Sequence, residues 1–176
     1  MSRPEAFAVP DPDSDRLILD DVTLTSVDPR SDLAVSCLTR YYAELARRLE
    51  TGFDVELSRD PEAAQMMPPR GAFLLALSRG AAIGCAGLKG HTEGVGAPWG
   101  EVKRVWVDPA ARGLRLASQL MAEIETRARG LGFAHLRLDT NAALPEAFAL
   151  YRRLGWHEIP RFNDDPYPDA FFEKRL

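Results

Sequence analysis

EVKRVWVDPAARGLRLASQL, residues Glu101 to Leu120, decides how this chain folds. Val102 to Val107 reads as a short apolar strand and Asp108-Pro109 as a tight turn. After Arg112-Gly113 a helix begins at Leu114. A strand that feeds a helix through a basic, glycine-bearing turn gathers unpaired backbone N–H groups at one point, and the positive end of the helix dipole adds to them. Such a place favours a bound phosphate.

Downstream, the helix carries an apolar stripe at Leu116, Leu120, Ile124, Ala128 and Leu131, and Gly130 and Gly132 stop it. Leu136 and Leu138 alternate with His135, Arg137 and Asp139, which predicts a strand. Pro145 stands at a helix start, and Ala147, Phe148, Leu150, Tyr151 and Leu154 give that helix its apolar face before Gly155 closes it. Trp156 to Ile159 and Ala170 to Leu176 are two short final strands around the polar loop Asn163-Asp164-Asp165.

Upstream, Ala72 to Leu77 and Ala82 to Leu88 form a hairpin through Arg79-Gly80. Gly84 and Gly87 inside its second arm suggest a bulge or a close backbone approach. Gly90 to Gly100 reads as a glycine-rich loop. It has no Gly-Lys-Ser/Thr, so it is not a nucleotide P-loop. Leu33, Cys37, Leu38, Tyr41, Tyr42, Leu45 and Leu49 recur at helical spacing over Asp32 to Leu49, with Gly52 as the stop. Val22 to Val27 alternates as a first strand. Residues 53–70 are irregular, with a short helix after Pro61 and a break at Pro68-Pro69.

The 176 residues suit one domain, taken as 22–176, behind a Pro- and Asp-rich tail or surface strap over 1–21. With 45 % apolar and 27 % charged residues the composition is that of an ordinary globular protein. A net charge of −4 argues against a nucleic-acid partner, which calls for a basic face. No apolar run approaches the roughly 20 residues of a membrane span, and the acidic, Pro-rich start is unlike a secretory signal. The expectation is a cytoplasmic protein. Cys37 and Cys85 fall in a helical and a strand pattern and read as buried thiols, not a disulfide. No His, Cys and carboxylate cluster has metal-ligand spacing, so no metal is expected. The alternation of strands and helices places the chain in the α/β or α+β class.

In element order over residues 22–176 the chain resembles the GCN5-related N-acetyltransferases, a superfamily that takes acetyl groups from acetyl-CoA. Two blocks carry the resemblance. The family signature Arg/Gln-x-x-Gly-x-Gly/Ala aligns with Arg112, Gly113, Leu114, Arg115, Leu116 and Ala117, and Arg115 replaces the glycine. The block Ala-x-x-Leu-Tyr-x-x-x-Gly-Phe/Trp is matched by Ala147 to Trp156. The resemblance implies a mixed, mostly antiparallel central sheet flanked by helices in three layers, an α+β fold, with acetyl-CoA as cosubstrate. It also implies that the strand Val105-Trp106-Val107 pairs with the pantetheine arm, Val105 N–H meeting the thioester carbonyl. The turn from Arg112 to Ser118 would hold the pyrophosphate. Tyr151 would meet the thiol as proton donor or hydrogen-bond partner. Leu144 stands where an asparagine is frequent, and Asn141 is the candidate substitute. Arg115 either turns outward or contacts a CoA phosphate itself.

The implied chemistry is attack by an amine on a thioester. An alkyl ammonium has a pKa of ~10.4, so its deprotonation at neutral pH costs about 4.6 kcal/mol and a base is worth having. Period-2 geometry puts Glu101, Lys103, Val105 and Val107 on one side of their strand. Glu101 then lies about 13 Å from Val105 along that side, within reach of an amine through water. Glu101 is thus a candidate base. It reads equally as a salt-bridge partner of Lys103 or Arg104. His135 and His157 read as surface or satisfied histidines, and Trp99 as packing or as a wall of the acceptor site.

The acceptor side, in this family, is built by the first helix, its following loop and the last hairpin. Here those segments hold Asp54, Glu56, Asp60, Glu62, Asp164, Asp165 and Asp169. They are either an acidic mouth for a small cationic amine or ordinary solvated charges. The competing function is a non-catalytic acyl-CoA-binding sensor, which the departures at Arg115 and Leu144 leave open. Dimers are common in the family, and the sequence is silent on assembly.

Overall fold

A computed structural model describes residues 21–50, 52–54, 63–92 and 96–176. The strap expected over 1–21 therefore lies almost wholly outside the described residues, as do Glu56, Asp60 and Glu62.

Seven strands form one sheet in the order β1-β2-β3-β4-β5-β7-β6. They are β1 (Val22–Ser26), β2 (Ala72–Ser78), β3 (Ala81–His91), β4 (Trp99–Val107), β5 (His135–Thr140), β6 (His157–Ile159) and β7 (Ala170–Arg175). Every neighbouring pair is antiparallel except β4 and β5. Helix α1 (Asp32–Arg48) covers one face; α2 (Leu116–Gly130) and α3 (Pro145–Arg153) cover the other. This is the three-layer α+β arrangement with a mixed, mostly antiparallel sheet. No helix among the described residues is long and apolar enough to cross a membrane.

Strand β2 shows why the sheet sits between layers. Leu74 and Ala76 face α2, Phe73 and Leu75 face α1, and all four are fully buried. A strand covered on both faces reads as a continuous apolar run, not as an alternation. Cys37 and Cys85 are buried free thiols in the α1 layer.

Four sequence expectations change. In α1, Ala34, Cys37, Leu38 and Leu45 face the sheet, while Leu33, one residue out of phase, is 45 % exposed. The stretch Gly90 to Gly100 is not all loop: β3 runs to His91, β4 starts at Trp99, and Gly90 stands opposite Gly100 as a rung. Glycine is there for room, since a Cβ on Gly100 would lie 2.7 Å from methyl carbons of Leu136 and Leu88. Third, α2 begins at Leu116, not Leu114. Gly113 (φ 88°) and Arg115 (φ 58°, ψ 20°) are left-handed, and a left-handed residue cannot belong to the helix that follows it.

The fourth change bears on the site. Lys103 pairs with Gly87 and Trp106 with Cys85, so Arg104 and Val105 together oppose the single Ala86. This is a β-bulge, with Arg104 left-handed at φ 59°. One extra residue inverts the alternation beyond it. Val102 and Val107 consequently pack in the same core layer, joined by Val105, while Trp106 packs under α1. Glu101 and Lys103 do not share a face with Val105 and Val107, and the period-2 expectation fails at this point.

Candidate active site

Strands β4 and β5 pair in parallel over three positions, from Gly100↔Leu136 to Val102↔Leu138. Beyond Val102 the pairing stops, and the bulged half of β4 diverges from β5. Two cavities open along this gap. They share Tyr41, Leu45, Val105, Leu144, Ala147 and Tyr151 as lining.

The larger cavity, about 860 Å³, contains the strand–turn–helix read first in the sequence. Val105, Trp106 and Val107 line it, with Arg112, Gly113, Arg115, Leu116, Ala117 and Ser118. Of the residues expected to hold the cosubstrate only Leu114 and Asn141 are outside its lining. The 3₁₀ turn Pro109–Ala111 is capped by Asp108, whose Oδ1 accepts the Ala110 N–H at 2.9 Å. The first helical bond of α2 runs from Gln119 N–H to Arg115 C=O at 3.2 Å. The N–H groups of Leu116, Ala117 and Ser118 precede it and have no carbonyl one turn back to bind. Arg48, Arg112, Arg115 and Arg153 line this cavity against two carboxylates, Glu44 and Glu146. The excess is cationic, as a polyphosphate requires.

Arg112 is not a loose surface charge. Its Nη2 donates to both oxygens of Glu44, at 2.6 and 2.7 Å, and its Nε donates to Val107 C=O at 3.2 Å. Glu44 also accepts Trp106 Nε1–H at 2.8 Å. Burial pushes the Glu44 carboxyl up, but the bonds from Arg112 and Trp106 and the arginine charge outweigh it, and its pKa is lowered. Sequence reading missed Glu44. Its signal was a charge three residues after Tyr41 and seven after Cys37, on the face that α1 turns to the sheet. Asn141 is also engaged: Nδ2 donates to Tyr167 C=O at 2.7 Å and Oδ1 accepts Ala143 N–H at 2.8 Å. It pins the turn between β5 and α3.

The smaller cavity, about 300 Å³, lies on the α1 side of the gap. Tyr41, Tyr42, Phe53 and Tyr167 form a row of rings along it, with centroids 5.2, 5.6 and 4.7 Å apart in sequence. Lys103, Arg104, Asp139 and Asp165 supply its charges. Of the acidic loop residues, Asp165 reaches this lining. Asp169 Oδ1 is spent on Ala142 N–H at 2.9 Å, and Asp54 and Asp164 are exposed outside it.

Tyr151 stands between the cavities, 6 % exposed. Burial, and secondarily the Asp139 charge, push its phenol well above the usual value. Its proton is therefore retained throughout the neutral range, as a hydrogen-bond donor requires. Glu101, the other candidate catalyst, lines neither cavity. It is 4 % exposed, with His91 Nε2 at 2.7 Å and Lys103 Nζ at 3.2 Å. Burial raises its carboxyl, but the His91 hydrogen bond and the charges of Lys103 and Lys89 hold it at about 2. Trp99 is a packing residue, stacked on His91 at 3.9 Å with Arg137 over its ring at 4.9 Å.

The acetyltransferase (GNAT) family model matches residues 38–156. The chain is 33 % identical over 159 residues to the IAA acetyltransferase of Azospirillum brasilense, covering 88 % of this chain and 98 % of that one. It is 32 % identical over 118 residues to the aminoalkylphosphonate N-acetyltransferase of Salmonella typhimurium, covering 66 % and 77 %. A GNAT family acetyltransferase from Elizabethkingia anophelis, solved with acetyl-CoA bound, superposes with a TM-score of 0.61 at 15 % identity, covering 89 % and 99 %. That likeness is one of fold.

Proposed function

The chain belongs to the acetyltransferase (GNAT) family, and from that premise we propose that it moves the acetyl group of acetyl-CoA to a small cationic primary amine by direct attack. The observation that supports this most is the meeting of two unlike cavities at Val105 and Tyr151. One is large and rimmed by arginines; the other is small and lined by rings, with Asp139 and Asp165 set against Lys103 and Arg104. A two-substrate transfer needs such a pair of compartments with one shared wall.

The residues of the larger cavity fit acetyl-CoA. The turn from Arg112 to Ser118 offers free N–H groups and cationic charge to a pyrophosphate. Arg115 takes the left-handed conformation that a glycine adopts without cost, which keeps its backbone path open and directs an exposed guanidinium to the same rim. The edge of β4 from Val105 to Val107, released from β5 by the splay, serves as a partner for an extended chain. Asn141 has no part in this reading, because its side chain is used within the protein.

The thioester supplies an activated acetyl group. Val105 N–H orients its carbonyl. The ammonium loses one proton to solvent, its nitrogen pair forms the new N–C bond, and the C–S bond breaks with its electron pair on sulfur. The second nitrogen proton balances the one that sulfur receives. Tyr151 O–H faces sulfur at that moment. Glu101 acts one step behind the cavity, holding Lys103 in the wall.

A thiol-release assay with acetyl-CoA and a panel of primary amines tests the proposal, alongside calorimetric titration of acetyl-CoA. Turnover with at least one amine is expected. Tight acetyl-CoA binding without turnover of any amine would overturn it in favour of a sensor.

A further inference from the structure

Asp139 sits near the end of β5, on the face opposite Leu138 and towards α1, and lines the smaller cavity. Its hydrogen-bond partner is neutral, Asn163 Nδ2 donating to Oδ2 at 2.6 Å, and the Lys103 charge acts on it from the same cavity. Among the described residues, Oδ1 accepts no hydrogen bond. Lys103 lines the same cavity, but Glu101 already answers its charge at 3.2 Å. Asp165 is turned partly to its own loop, accepting Tyr167 N–H at 3.0 Å. Each of the two cavity carboxylates keeps one oxygen without a hydrogen bond among the described residues, and Asp139 is the one whose charge reaches the shared wall. It is also close enough to Tyr151 and Tyr41 to raise both phenols. Desolvation raises its own carboxyl and outweighs the opposing Lys103 charge and the Asn163 hydrogen bond.

The row of rings lies further out. Tyr42 and Phe53 stack with centroids 5.6 Å apart at 16°, and Phe53 meets Tyr167 at 4.7 Å. Tyr167 is fixed in turn: its hydroxyl accepts Asp54 N–H at 2.8 Å. Fixed rings offer flat apolar area at little entropic cost.

We propose that Asp139 takes the acceptor's ammonium while Tyr42, Phe53 and Tyr167 take its body, so that the acceptor class is a primary amine carried by an aromatic or compact apolar group. The inference rests on the acetyltransferase reading above and deepens it. The nitrogen held by Asp139 lies beside Tyr151, one of the residues common to both cavities, and the apolar body points to the mouth. Polyamines and aminoalkylphosphonates, which carry a second charged group where the rings offer apolar area, match this arrangement less fully.

The test uses the full chain with saturating acetyl-CoA and three amines: 2-phenylethylamine, putrescine and aminomethylphosphonate. The expected result is a kcat/KM for phenylethylamine at least about 10-fold above both others. Asp139→Asn should raise its KM by about 10-fold or more, as loss of a charged hydrogen bond does. The same variant should bind acetyl-CoA as the wild type does. The uncharged 2-phenylethanol should inhibit wild type and variant equally, which a general distortion of the cavity would not allow. Phe53→Ala should weaken phenylethanol inhibition and leave acetyl-CoA affinity unchanged. Preference for putrescine or the phosphonate, or an Asp139→Asn variant with unchanged KM, overturns the inference and leaves the acetyltransferase reading standing. Acetyl-CoA binding with no turnover of any amine overturns the acetyltransferase reading, and this inference with it.

Discussion

Both oxygens of the Glu44 carboxylate hold the Arg112 guanidinium, at 2.6 and 2.7 Å, across the floor of the larger cavity. The pair joins α1 to the turn before α2, two segments 68 residues apart. Glu44 also accepts Trp106 Nε1–H at 2.8 Å and Arg48 Nη1–H at 3.3 Å. Glu44→Ala therefore removes the partner of a buried indole N–H and of a half-exposed arginine together. The expected loss is about 1–3 kcal/mol, discounted because solvent reaches Arg112. Urea unfolding at neutral pH measures it, and a loss within about 0.5 kcal/mol would mean that water replaces the carboxylate at no cost.

Tyr151→Phe removes the hydroxyl of a residue that lines both cavities while keeping the ring that packs 5.9 Å from Phe172. Thermal stability should hold to within a few degrees. Under the proposed mechanism kcat should fall by roughly 10- to 100-fold, at or below the low end for general acids because the phenol is a weak one. Acetyl-CoA affinity should stay as it is. An unchanged kcat would remove Tyr151 from the chemistry.

Arg115→Gly separates backbone from side chain. A non-glycine residue in the left-handed region costs about 1 kcal/mol, offset in part by the greater freedom of glycine in the unfolded chain. Stability should thus be unchanged or slightly higher. Acetyl-CoA should bind roughly 5- to 10-fold more weakly if the guanidinium meets a phosphate, and calorimetry at two salt concentrations would register a shallower salt dependence. Equal affinity would return Arg115 to an outward-turned surface charge.

Glu101 should be a stability residue, with a defined sign in pH. Its carboxyl is held at about 2, below its ordinary value of 4.5, by His91, Lys103 and Lys89 against the pull of burial. A depressed folded pKa contributes stability that is fully present above pH ~4.5 and lost as pH falls towards ~2. The shift corresponds to about 3 kcal/mol. Glu101→Gln should be less stable than wild type by an amount of that order at pH 7, and the difference should vanish near pH 2. A constant difference across the range would refute the assignment.

The layers and most elements could be read in the sequence, because periodicity reports burial directly. The two final strands, the hairpin at Arg79-Gly80 and the helix at Pro145 all lie where the pattern places them. The turn residues were legible through the family motif, and Arg112 to Ser118, Leu114 apart, line one cavity. What escaped depends on non-local pairing. The bulge arises because two residues of β4 meet one residue of β3, and neither strand alone records that mismatch. It carried Glu101 to the face opposite Val105. Asp139 looked like any polar residue alternating with Leu136 and Leu138, because only the splay of β4 from β5 gives it a cavity to face. Glu44 was visible as a charge on an apolar stripe but had no partner until Trp106 and Arg112 came beneath it.

The extra residue at Arg104 and Val105 also makes β4 two instruments on one backbone. Positions 99–103 turn their odd-numbered side chains to the α1 face, where Lys103 lines the small cavity, and under the proposed function positions 105–107 serve the donor from the other phase. A substitution before the bulge can reshape what enters the small cavity without re-aiming the groups that meet the thioester. Acceptor preference can therefore drift, or be engineered, through Lys103 and its neighbours across the gap while the donor half of the machine is inherited intact.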